Sequence, residues 1–551
     1  MEGQIGSGGA TATGGAPAGS GGAVGTGGHV ATGGTPGAGG PASGGASPAG
    51  GGPGAGGAKG GGGAAAAAGA TGAGGKPGTG GVPGTGGKSS SGGAPGTGGA
   101  NGSGGATASG GATGSTGACG AGDSNLPPQP ALPATVCATL PATQVVATDG
   151  VASESSPDTS SLQSALSGCG AGQAVKLVAS GANNAFLIGP ITIPANVTLW
   201  VDAGVTLFGT RDPNVYGSAG ALITAKGAHA GIVGGGVIDG QGGEPKIGDT
   251  ASFWDDNGSG TGSSPALIQV SGATDFTLYQ ITLHNAPKFH VKMGAAGFVV
   301  WGITIKTPSK AMNSAGTALS YSSAHNTDGV DPGEAASDGY IVCSNISDGD
   351  DHIAIKGSSA TGVTNLTIAH DHLEAGHGIS IGSEFTGGVS GIKVYDISID
   401  GTGTNTSGGS SNGLRIKSDS SRGGLVNDVT YSDICMRDIS NPIFLTPFYS
   451  SATGSDIPQF TNITFSNVHV VTGGSNKPTV TLDGYDASHL STVTLDNVII
   501  DPDVKLTAEY ANVTLGPGNV NFMPSGTGVT VTDDIAGAST PNPCTNKWVT
   551  F

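Results

Sequence analysis

Four short stretches gather ionisable side chains in a chain of which only 11% of residues are charged. They are "AHNTDGVDPGE" (324–334), "SDGDDHIAIKGS" (347–358), "AGHGISIGS" (375–383) and "GLRIKSDSS" (413–421). Between them they supply Asp328, Asp331, Asp350, Asp351, His377, Arg415 and Lys417. Carboxylates forced together cannot all ionise freely, so one holds its proton to higher pH and an acid stands beside a base. With room for water between them, such a pair suits inverting glycoside hydrolysis, one group protonating the departing oxygen while another activates water. Arginine and lysine beside them suit a substrate that carries carboxylates. Taken singly, each motif has a plainer reading: Asp-Gly as a turn, Arg415 and Lys417 as solvated surface charge.

The intervals argue for the joint reading. Asp328 to Asp350 spans 22 residues and Asp351 to His377 spans 26. The same lengths separate similar strand starts: Phe276 to Phe298 is 22, Tyr340 to Leu366 is 26, and Leu366 to Ile392 is 26. Runs such as "FTLYQITLHNA", "GYIVCSNISDG" and "GIKVYDISIDG" are strand-length, alternate apolar with polar residues and end in turn formers. A repeat of 20-odd residues with two or three strands and no intervening helix predicts an all-β solenoid, a parallel β-helix. A sandwich fits poorly, because Asn-Gly hairpin turns do not separate successive strands. Only "DTSSLQSALSGC" (158–169) reads as a helix, with Ser or Thr caps before it. Strands about 4.8 Å apart would place Asp328, the Asp350/Asp351 pair and His377 on three neighbouring rungs. The step from His377 to Arg415 is 38 residues, lengthened by the insert "GTGTNTSGGSSN" (401–412). Arg415 and Lys417, two apart, face one side. Adjacent strand residues point oppositely, so Asp350 and Asp351 reach one cleft only if the backbone bends, which Gly349 would permit.

Residues 1–124 are almost entirely Gly, Ala, Ser, Thr and Pro. They lack the apolar side chains that offset ordering entropy and read as a low-complexity flexible tether, without the every-third glycine of collagen. Residues 125–551 are left for the catalytic solenoid. A net charge of −18 argues against nucleic acid as a partner. No run approaches the roughly 20 apolar residues of a membrane span. The start, "MEGQIGSGG", lacks the regions of a signal peptide. Six cysteines without a C-x-x-C pair or zinc spacing are compatible with an exported protein, with buried free thiols the alternative for Cys343 and Cys435.

"NTDGVD", "GDDHIAIK", "GHGISIGS" and "LRIKS", in this order, resemble the four motifs of the polygalacturonases, glycoside hydrolase family 28. "NPIFLTPFY" (441–449), "GGGVIDGQG" (234–242), "NAPKFH" (285–290) and "LFGTRDPNVY" (207–216) resemble further segments of that family. The likeness runs from about 145 to about 515. It implies a right-handed parallel β-helix and metal-free, cofactor-free, inverting hydrolysis of α-1,4-linked galacturonate in pectin. By motif, Asp350 is the general acid, Asp328 and Asp351 position and activate water, and His377 holds the acid's hydrogen-bond environment. Arg415, Lys417 and Tyr449 would bind galacturonate, with Asn326 of "NTDGVD" also at the substrate. His352 stands where the family commonly has cysteine, a change expected to affect packing and any local disulfide. A monomer, secreted or tethered at the cell surface, is expected, with residues 1–120 dispensable for turnover of soluble substrate. The competing readings are a calcium-dependent pectate lyase, a rhamnogalacturonan or xylogalacturonan hydrolase, an exo-acting galacturonosidase, and a non-catalytic β-helical adhesin. The insert at 401–412 and "DDNGSGTGSSP" (255–265) are candidate walls of the cleft.

Overall fold

The computed structural model describes residues 119–548 apart from 148, 149, 151, 262, 334, 403–411, 472–476, 502, 537–541 and 546. The chain winds as a right-handed parallel β-helix, each strand pairing in parallel with its counterpart one coil away. Inward positions stack along the axis. One column runs Val175, Leu199, Ile232, Leu278, Val300, Ile341, Ile368, Val394, Tyr431, Phe465, Leu495 and Leu515, all buried. Side chains of one coil thus pack on like side chains of the next, and apolar burial becomes continuous where no single coil could form a core.

Between two of the ladders the chain turns on a single residue with positive φ. Cys343, His370, Asp396, Asp433, Asn467 and Asn497 occupy this corner on successive coils, with φ between 55° and 59°. Asn and Asp tolerate that conformation best among residues with a Cβ, and their amides ladder outside the helix: Asn467 Nδ2 donates to Asp433 and Asn497 Nδ2 to Asn467.

Helix α1 (Thr159–Gly168) covers one end of the solenoid with Leu162 and Leu166 buried. Its N-cap is Asp158, whose carboxylate accepts from Leu187 N and Thr143 Oγ1 rather than from the helix, so the expected Ser or Thr cap is absent. Among the described residues two further α-helices follow, α2 (Pro213–Tyr216) and α3 (Phe253–Ser259). The first turn of α3 overlaps the segment read as a Gly-rich wall. Ser252 and Asp255 form a reciprocal capping box and Phe253 and Trp254 are buried, which overrides the glycines that follow. Among the described residues no helix is long and apolar enough to cross a membrane.

Among the strand starts, the repeat lengths hold with one slip. Phe276 aligns with Phe298 and Leu366 with Ile392, but Leu366 pairs with Gly339, not Tyr340. The Phe298 ring fills the inward space at Gly339, where a Cβ would come within 2.2 Å of it. An inward position without a side chain carries no apolar mark in the sequence. All six cysteines are paired, as Cys119–Cys343, Cys137–Cys169 and Cys435–Cys544, so the free-thiol alternative for Cys343 and Cys435 does not hold.

Candidate active site

The site stands at the start of a ladder whose inward column is Val291, Val330, Ile353, Ile379, Leu414 and Ile443. Val330 pairs with Ile353 and Ile353 with Ile379, so two residues upstream Asp328, Asp351 and His377 share one register. The coil from Asp328 therefore closes on Asp351, one residue beyond the expected Asp350. Asp350 and Asp351 lie in a bend between the strands Asn345–Ser347 and Ile353–Ile355. Strand alternation is suspended there, which is how neighbouring aspartates reach the same cleft. Gly349 makes the bend: a Cβ would lie 2.2 Å from the Ala324 carbonyl oxygen, and its N–H donates to Thr327 Oγ1 at 3.0 Å.

Asp351 is buried, and its two oxygens meet different cations. Oδ1 accepts from Arg415 Nη2, and Oδ2 accepts from Lys417 Nζ at 2.8 Å. Arg415 Nε also donates to Ser380 Oγ at 3.0 Å, fixing the guanidinium plane. Burial alone would raise the Asp351 pKa, but Arg415 and Lys417, aided by His377, hold it well below the ordinary carboxylate range. Asp350, partly exposed, accepts from its own neighbour's amide, Asp351 N, at 3.0 Å, and pairs with His377 Nδ1 at 3.0 Å. The His377 amide donates to the Asp350 carbonyl at 2.6 Å, so ring and carboxyl are locked at backbone level. One carboxyl oxygen each of Asp350 and Asp351 and a ring nitrogen of His377 lie within 4.8 Å of one another. A cation placed there would face Arg415 and Lys417, the reverse of what a calcium-dependent lyase needs.

Asp328 faces the same cleft and is buried. Its Oδ2 accepts from Lys356 Nζ at 3.0 Å, and the same ammonium lies 2.8 Å from Asp331 Oδ2. Burial pushes Asp328 well up and Asp331 to about 6, with Lys356 opposing both shifts. Below them, the Asp328 carbonyl accepts from the His290 amide at 2.8 Å and meets His290 Nδ1 at 3.1 Å, while His290 Nε2 meets Thr307 Oγ1 at 2.8 Å. Tyr449, 46% exposed, places its ring centroid 4.9 Å from Lys417 Nζ. Asn326 forms the positive-φ corner (57°) two residues before Asp328, and among the described residues its side chain has no hydrogen bond to the other seven. The geometry thus gathers Asp328, Asp350, Asp351, His377, Arg415, Lys417 and Tyr449, and sets Asn326 at the margin.

Lys356 and His290 were not among the expected site residues, and Asp331, gathered with Asp328 in the sequence, carried no assigned role. Lys356 had a visible mark: it ends "GDDHIAIK", one coil from Gly333, with which it bridges in parallel. His352, fully buried, spans the loop that carries His377, accepting from Gly378 N at Nδ1 (3.0 Å) and donating from Nε2 to Ala375 O (2.9 Å). Of the candidate walls, α3 is anchored by Asn257 Nδ2, which donates to the Pro287 and His325 carbonyls. Residues 403–411 of the other lie outside the described residues.

A β-helix with a paired acid cluster flanked by carboxylate-binding cations defines a glycoside hydrolase. Comparison with known proteins agrees in detail: the model of glycosyl hydrolases family 28 matches residues 169–521, and the chain belongs to that family. It is 42% identical over 432 residues to a polygalacturonase of Ralstonia nicotianae, covering 68% of this chain and 79% of that protein. An endo-polygalacturonase of Pectobacterium carotovorum is 38% identical, over 66% of this chain and 88% of that protein. The solved polygalacturonase of Erwinia carotovora superposes with a TM-score of 0.60 at 35% identity, covering 71% of this chain and 99% of that one.

Proposed function

We propose that this glycoside hydrolase is a polygalacturonase, hydrolysing α-1,4-galacturonosidic bonds of the pectin backbone with inversion. The observation that carries the reading is the double engagement of buried Asp351 by Arg415 and Lys417, one rung from Asp328 and beside Asp350. Asp350 donates the proton to the departing oxygen, its position set by His377. Asp351, held charged and weakly basic, orients water. Asp328, with the greater proton affinity, takes the proton from that water. Arg415, Lys417 and the exposed face of Tyr449 receive a galacturonate carboxylate and ring. Asn326 shapes the loop that approaches the substrate.

The close Asp350–Asp351 spacing is tighter than the roughly 6.5–9.5 Å common to inverting pairs. A retaining course would make Asp351 the nucleophile, yet both its oxygens are already bound to cations, which leaves it a poor one. We further read residues 1–118 as a tether on a monomeric, exported enzyme; three disulfides support an oxidising compartment. Release of reducing ends from polygalacturonate tests the activity, and Asp350→Asn should lower kcat by about 10²–10⁴. Unsaturated, ultraviolet-absorbing products would instead mark a lyase, and binding without turnover an adhesin.

A further inference from the structure

Lys356 is a cation placed between two carboxylates that have no other salt-bridge partner among the described residues. Asp328 Oδ2 and Asp331 Oδ2 both lie within 3.0 Å of its Nζ, while the Oδ1 atoms of both aspartates are buried without a hydrogen bond. Its backbone amide donates to Pro332 O at 2.7 Å, and its ammonium sits 4.6 Å from the Phe289 ring centroid. Lys292, Glu384 and Met293 line a cavity of about 260 Å³ beside Lys356 and Asp331, and the charges of Asp350 and Asp351 also bear on Asp328. Among the described residues Lys356 is the cation within salt-bridge distance of Asp328, while Asp331, Asp350 and Asp351 add like charge.

The geometry points to Lys356 as the positioning residue that lowers the proton affinity of Asp328 and aims it at the cleft, with Asp331 drawing on the same ammonium. Arg415 and Lys417 serve Asp351 with two cations; Asp328 and Asp331 share one. The reaction then needs the ionised Asp328, and its acid limb reports how much of the Lys356 field that carboxylate receives. This rests on the polygalacturonase reading for its substrate but not for its electrostatics.

The test is kcat/KM against pH on polygalacturonate, with thermal melting as the check on folding. Lys356→Met should move the acid limb up by about one pH unit or more, the size of shift an adjacent opposite charge produces. Lys356→Arg should bring it back. Asp331→Asn should move the limb the other way, to lower pH, because it removes a competitor and a like charge. A purely structural role would lower activity alike at every pH. A limb that stays in place in Lys356→Met, or in Asp331→Asn should the first variant not fold, overturns the proposal. Titration of ¹³C-labelled aspartate carboxyls, with Asp328 assigned by Asp328→Asn, reads the same shift without substrate. Failure of the substrate assignment and failure of the Lys356 role are therefore separate results.

Discussion

What separates the aspartates of the cleft is the number of cations each one reaches. Asp351 has two and stays charged; Asp328 and Asp331 share one and rise; Asp348, buried with only the Asp350 amide on its Oδ1, is raised well above the usual value. Proximity alone, all that spacing in the sequence can give, predicts a shared proton but not its owner. The buried histidines follow the same logic with opposite sign. Burial pulls His352 and His290 down from 6.5 to about 4, so both are neutral in the fold. A base whose folded pKa is depressed contributes stability that is full above about pH 6.5 and lost as pH falls toward 4. His352→Asn, which keeps an acceptor near the Nδ1 position without titrating, should flatten the fall of melting temperature across that window by one proton's worth. An unchanged slope would mean that His352 is already charged. In the sequence His352 was visible only as a departure from the family's cysteine, and its partner loop 375–378 could not be named.

Strands and coils were far more legible than the bends between them. Apolar alternation located the ladders, because every inward residue must bury its side chain against the coils above and below. It misplaced the register at Gly339, where a neighbour's ring takes the inward space, and it hid helix α3 beneath a glycine-rich tail. It also left open how Asp350 and Asp351 enter one cleft. The bend at Gly349 answers that, and the close backbone approach there excludes any larger residue. Gly349→Ala should cost about 1–3 kcal/mol in urea unfolding through overpacking, and displace the acids enough to lower kcat by about 10²-fold. A variant of parental stability and turnover would show that the bend tolerates a Cβ.

At the level of the whole molecule, both ends of the described residues fasten at or beside the positive-φ corners. Cys119 bonds to Cys343, and Asp123 accepts from His370 Nε2 at 3.0 Å and from Tyr395 OH at 2.7 Å. His370 Nδ1 contacts Asp396 at 2.6 Å, and Asp396 also pairs with Lys547. Cys544 bonds to Cys435, and Trp548 stacks on Arg437 at 4.3 Å. Composition identified the glycine-rich segment but overran its end, since residues 119–124 are tied down by a cysteine, an aspartate and their backbone. Pairings across 224 and 109 residues leave no local trace in a sequence. Removal of residues 1–118 should therefore leave turnover of soluble polygalacturonate unchanged. Removal of 1–126, which takes Cys119 and Asp123, should lower stability by about 2–5 kcal/mol, the usual cost of a lost disulfide. Equal melting temperatures for the two truncations would contradict the fastening.

The proposed hydrolysis depends on one bond being attacked by water held between acids from adjacent coils. Proton NMR of the first sugars released from polygalacturonate reads this directly, before mutarotation mixes the anomers. Water attacking from the face opposite the leaving group gives the β-anomer first, and that is the result expected here. Initial α-anomer would mean a covalent intermediate on Asp351 and would contradict the assignment of Asp328 and Asp351 to water.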